Sequence, residues 1–364
     1  MERFTVSGAN PEDEEVRDVR SLNIPSVVRK FAARLPPNAV ENLTLANYRE
    51  GARPFYENWR DANLPDDVVV PWFKANKFSI RRFAAPDVSL SANAVAVLVG
   101  LPNLQVVDLS GQEDDLSDGV SDATMARLAE TKKLTSFSIQ CPLHLTSLRF
   151  LADLKGLRTL NVTHCEVGYG LNPGSFSAFC TGGVAAGNLT ELDISKSHAF
   201  EGTDLLKDIG ECISLKTLIA DGLVLDDDGA GSLKNVESLN KLHHLVHLCL
   251  AGTEGMNRAL PMLKLPNLEH LDMSEKLDLT KDSLIEFAKS PRGNLVVVNI
   301  SGGCYGDECY NEHDIRNMLG NINTYNLGMD SVQVAPVVAH RRLRVLRYDN
   351  AEGLYERKCL PWER

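Results

Sequence analysis

The sequence predicts an α/β solenoid: one short parallel strand per repeat on a concave sheet, with return helices on the convex side. Three observations predict it. The pattern L-x-x-L-x-L recurs along most of the chain, its copies stand roughly 21 to 32 residues apart, and helically spaced apolar segments fall between them. The copies open at Leu104, Leu134, Leu157, Leu189, Leu215, Leu245, Leu268, Leu295 and Leu343, with degenerate ones at Phe78–Phe83 and Ile322–Leu327. In each copy the last two apolar residues sit two apart on a strand, so both point into the core, and the residue between them points the other way. A single repeat cannot bury its own leucines; stacking neighbours does that.

The elements follow in chain order. Residues 1–20 include the run Glu12-Asp13-Glu14-Glu15 and read as an acidic disordered tail. Residues 21–77 read as a helical cap, which a solenoid end needs because its first core face would otherwise meet water. Within it Ile24, Val27, Val28, Phe31, Ala32 and Leu35 recur at helical spacing and Pro36-Pro37 ends the stripe. Ala39, Val40, Leu43 and Leu45 form a second apolar set, and Trp59, Trp72 and Phe73 are expected to pack over the first repeat. Residues 78–350 hold the repeats. Their return helices are expected at Ala123–Ala129, Leu205–Ile209 and Leu284–Ala288, where apolar residues again recur at helical spacing. Residues 351–364 read as a C-terminal tail. The periodicity resembles that of the leucine-rich-repeat superfamily, which implies a curved solenoid that binds other proteins.

The residues between the two core positions should line the concave face. They include Asp108, Asn161, Asp193, Asp272 and Asn299, followed two residues later by Ser110, Thr163, Ser195, Ser274 and Ser301. Two readings stand. Small polar residues suit a solvated sheet, and a row with acids also suits docking of a basic or amine-bearing peptide through charge complementarity.

Composition excludes several classes. The net charge of -11 argues against gripping nucleic-acid phosphates or anionic lipid. No apolar run approaches the roughly 18–20 residues that cross a bilayer. The N-terminus has no secretory leader and is too acidic for a mitochondrial presequence, so the eight cysteines read as reduced thiols in cytoplasm or nucleus. Cys304 and Cys309 with His313 lack a second ligand pair for zinc, and His243-His244-x-x-His247 reads as a turn into a strand. Gly182-Gly183 and Gly302-Gly303 lack a phosphate-loop lysine. No nucleophile–base or paired-carboxylate arrangement stands out, so the chain reads as a non-enzyme without cofactor or metal.

One further resemblance rests on residues 23–43. Asn23-Ile24-x-x-x-Val28-x-x-x-Ala32 resembles the first motif of a VHL-box, with Val28 where Cys is usual, and Leu35-Pro36-Pro37-Asn38-Ala39-Val40-Glu41-Asn42-Leu43 resembles the second. That order of parts is similar to the Zyg/Zer family of cullin-2 ubiquitin-ligase substrate receptors. The resemblance implies that Ile24, Val28 and Ala32 dock elongin C, that Leu35, Pro36 and Leu43 reach cullin-2, and that the repeats present a target protein. The same stripe also fits a plain capping helix, with the chain then a general adaptor or structural component of a larger assembly.

Overall fold

The structure is a computed structural model. It describes residues 4–7, 37–38, 40–46, 66–85, 90–110, 121–140, 146–164, 173–182, 184–197, 204–223, 233–253, 255, 259–274, 283, 286–287, 297–299, 332–333 and 345–347. Period-two alternation places these strands in one sheet: β1 (Phe4–Ser7), β2 (Asn42–Ala46), β3 (Arg82–Ala84), β4 (Val106–Leu109), β5 (Ser136–Gln140), β6 (Thr159–Thr163), β7 (Glu191–Asp193), β8 (Thr217–Ile219), β9 (His247–Cys249), β10 (His270–Asp272), β11 (Val297–Asn299), β12 (Val332–Gln333) and β13 (Val345–Arg347). Their spatial order is β1 through β11 in sequence, then β13, then β12. Every pairing is parallel except that of β12 with β13. The fold is therefore a leucine-rich-repeat solenoid.

Register explains why the sheet holds. The fourth motif position stacks on itself from repeat to repeat: Val107, Phe137, Leu160, Leu192, Leu218, Leu248 and Leu271 are successive partners. Each is at most 1% exposed. Return segments behind the sheet are short α-helices such as Ala92–Leu98, Pro173–Gly182 and Leu205–Ile209, alternating with 3-10 turns such as Arg149–Asp153 and Glu237–Lys241. Helices need about 8–10 Å between axes and strands about 4.8 Å, so the strand side is the shorter, concave one. Glu237–Lys241 continues directly from the short α-helix Leu233–Val236, whereas the return to β6 uses the 3-10 turn Arg149–Asp153.

The turns entering the strands leave carbonyls that the ladder does not use. Side chains one residue before the motif serve them. Asn103 Nδ2 donates to Phe78 O (2.8 Å), Asn188 Nδ2 to Lys155 O (3.0 Å), Ser214 Oγ to Gly187 O (2.6 Å) and Asn267 Nδ2 to His243 O (2.6 Å). Each bond ties one turn to the turn before it.

Three expectations change. Residues 4–7, placed in a disordered tail, form β1, and residues 42–46, placed in the helical cap, form β2. The repeat pattern reaches further back than residue 78: Val40-x-x-Leu43-x-Leu45 and Met1-x-x-Phe4-x-Val6 both carry it. The degenerate copy at Phe78–Phe83 is out of frame. Its core residues are Ile80, Phe83 and Ala85, all fully buried, while Phe78 is 64% exposed. The far side of β11 is taken by β13; the copy expected at 322–327 lies outside the described residues. The Asp66–Ala75 helix supplies the packing expected of Trp72 and Phe73. Phe73 is fully buried, with its ring edge-on to Phe83 at 5.4 Å.

Candidate functional site

The open face of the sheet is the candidate site. Its middle row runs through paired positions Asp108, Ser138, Asn161 and Asp193 on β4–β7, and all four are half-buried. On β9–β11 the same row continues as Cys249, Asp272 and Asn299, which are only 3%, 3% and 8% exposed. Asp272 and Asn299, expected to contact a partner, are instead covered within the chain.

The acids have a local reason to be there. Asp108 Oδ1 accepts from the backbone N–H and the hydroxyl of Ser110 at 3.0 and 2.6 Å. Asp193 does the same with Ser195 at 3.0 and 2.7 Å, and Asp272 with Ser274 at 2.9 and 2.7 Å. This Asp-x-Ser clasp satisfies an N–H where the chain leaves the ladder. It also fixes each carboxylate in one orientation. In the covered half the network goes further: Asn299 Nδ2 donates to Asp272 Oδ2 at 3.1 Å, and Ala251 N–H to Asp221 Oδ1 at 3.1 Å. The serines two residues on were visible in the sequence; their role as clasps was not read from it.

Two more features define the floor. Gln140 Oε1 and Asn161 Oδ1 lie against it with no hydrogen-bond partner among the described residues. An unpaired buried acceptor of this kind costs about 1–3 kcal/mol. On β9 and β10 the paired His247 and His270 lie against each other, ring centroids 4.5 Å apart and planes tilted by 45°. Burial, with the His247 ring adding, holds His270 down at about 4. Burial also lowers His247, against the opposing pull of Glu269 and Glu191. At neutral pH the pair is therefore uncharged and the floor keeps its acidic character. Burial, reinforced by Asp272 and Asp221, pushes the Cys249 thiol up out of the reactive range, as a packing role requires.

The adaptor residues implied by the VHL-box resemblance divide. Ile24, Val28, Ala32, Leu35 and Pro36 lie outside the described residues. Leu43 is the core residue of β2, 3% exposed and paired in register with Phe83, so it faces the solenoid interior and not a cullin. Cys304, Cys309 and His313 also lie outside the described residues. Among the described residues no three His, Cys, Asp or Glu side chains converge to hold a metal ion, and no helix is long and apolar enough to cross a membrane.

No protein-family model and no curated protein sequence matches the chain. Among solved structures it is similar to internalin C2 and an internalin F, both from Listeria monocytogenes str. 4b F2365, each at 14% identity. The first match spans 64% of this chain and 80% of that one with a TM-score of 0.38; the second spans 68% and 74% with 0.37.

Proposed function

We propose that the chain is a protein-binding scaffold that docks a basic partner segment on the concave face of β4–β7, with no chemistry of its own. One observation carries this reading: Asp108 and Asp193 are half-buried rather than covered on a continuous polar row, and their serine clasps hold both carboxylates preorganised. A fixed acceptor loses little freedom on binding a Lys or Arg side chain, and opposite charge adds encounter rate and specificity.

The test is a lysine- and arginine-rich peptide titrated against the wild-type chain and an Asp108→Asn, Asp193→Asn double variant. The clasp needs only Oδ1, which Asn retains, so melting should stay within a degree or two. Binding should weaken about tenfold at low ionic strength, with the gap narrowing in salt because exposed charges are screened beyond about 8–10 Å. Equal affinity for both proteins would return the row to the role of a solvated sheet. Recruitment of a cullin-2 ligase through residues 24–36 is a narrower form of the same proposal. It rests on the motif resemblance, without Leu43, and co-purification of elongin C and cullin-2 from cell extract tests it.

A further inference from the structure

The rim beside this acidic floor carries the opposite charge. Arg81 leads into β3 and Arg82 opens it, Lys132 and Lys133 precede β5, and Lys155 and Arg158 lead into β6; all six residues are exposed. Backbone bonds line these turns up. Gln105 N–H donates to Arg81 O (2.7 Å), Thr135 N–H to Gln105 O (2.8 Å) and Arg158 N–H to Thr135 O (2.8 Å). Three strand spacings separate Arg81 from Arg158, about 15 Å, which an extended peptide crosses in about five residues. Glu41, 3.6 Å from Arg81, offsets part of the charge, as do Glu130 and Asp153 in the turns. The cations still outnumber them, on a chain whose net charge is -11.

An apolar anchor sits in the same strip. Phe78 is 64% exposed, and Ile213 is the other large apolar side chain exposed among the described residues. The Phe78 backbone is held from both sides: its N–H donates to Asn38 Oδ1 (3.2 Å) and its carbonyl accepts from Asn103 Nδ2 (2.8 Å). Lys77 Nζ lies 5.6 Å from the ring centroid. An aromatic ring kept in water on a fixed backbone, with a cation beside it, is a preorganised contact point.

We propose that this strip docks an acidic protein segment, one apolar side chain of which packs on Phe78. A short peptide feels the local cations within a Debye length, whereas a long polyanion also meets the repulsion of the whole acidic chain. The inference is independent of the concave-face reading, since the two surfaces call for oppositely charged segments and separate variants.

The probe is a fluorescein-labelled synthetic peptide of alternating Glu and Leu, followed by anisotropy against the full chain. Lys155→Glu with Arg158→Glu should weaken binding about tenfold or more, and Phe78→Ala about three- to tenfold, because anchors and local charge carry most of such an interface. Both variants alter exposed side chains and should melt like wild type, while Asp108→Asn, Asp193→Asn should bind the probe as wild type does. No binding by wild type, or undiminished binding by the charge-reversed chain, overturns the proposal. So does tighter binding of a single-stranded oligonucleotide of equal charge, which would assign the strip to nucleic acid.

Discussion

Strands β4–β7 and strands β8–β11 are built on one repeat, with the same stacked core and the same Asp-x-Ser clasp, yet they meet solvent differently. In the first group Asp108, Asn161 and Asp193 are half-buried; in the second Cys249, Asp272 and Asn299 are covered. In the first group the Asp108 clasp closes on Ser110, and the Asp193 clasp also reaches the next strand, where Ser195 Oγ accepts from Asp221 N–H at 3.3 Å. In the second the clasped Asp272 carboxylate itself bonds across to Asn299, and Asp221, which has no serine two residues on, accepts from Ala251 N–H. Asp108 and Asp193 stay half-buried where Asp272 is covered, so equivalent positions in a repeat are not equivalent in exposure.

The two halves should respond alike where they share a design. Leu192→Ala and Leu271→Ala each truncate a stacked core residue no more than 1% exposed, and each should cost about 2–5 kcal/mol in urea unfolding. A loss below about 1 kcal/mol at either would break the equivalence of the two cores.

They should part at the clasp. Asp272→Ala strands the buried Asn299 amide and the Ser274 donors, and should cost about 1.5–3 kcal/mol, the range for hydrogen bonds to a charged group in a covered site. Asp108→Ala leaves its serine within reach of water and should cost about 1 kcal/mol or less. Equal losses would mean that burial does not separate the halves.

Acid should sharpen the contrast further. The unfolded chain protonates His270 below its ordinary value near 6.5, whereas the folded chain does so only at about 4. The favourable contribution of the neutral ring is therefore complete above about pH 6.5 and is lost as pH falls from there towards 4. His270→Gln should flatten the decline of melting temperature across that window relative to wild type. A parallel decline in both proteins would remove the histidine pair from the acid response. The smallest effect on stability, and the largest on binding, belongs to Asp108→Asn with Asp193→Asn in the open half.

The L-x-x-L-x-L pattern determined the strands, their parallel order and the stacked core, because a period of two between apolar residues admits one face in and one face out. It held even where it was overlooked: Val40-x-x-Leu43-x-Leu45 carries β2 in plain sight, and Ile80-x-x-Phe83-x-Ala85 sets the frame that leaves Phe78 outside. The polar identity of the concave row was legible for the same reason. Accessibility was not. Asp193 and Asp272 stand in the same motif with the same serine two residues on, and nothing local distinguishes them. Whether a carboxylate meets solvent depends on which side chains neighbouring repeats bring against it, and for Asp272 one is the Asn299 amide, 27 residues away. The basic rim is of the same kind. Its cations lie scattered over residues 81–158 and become one strip only when the ladder stacks their turns side by side.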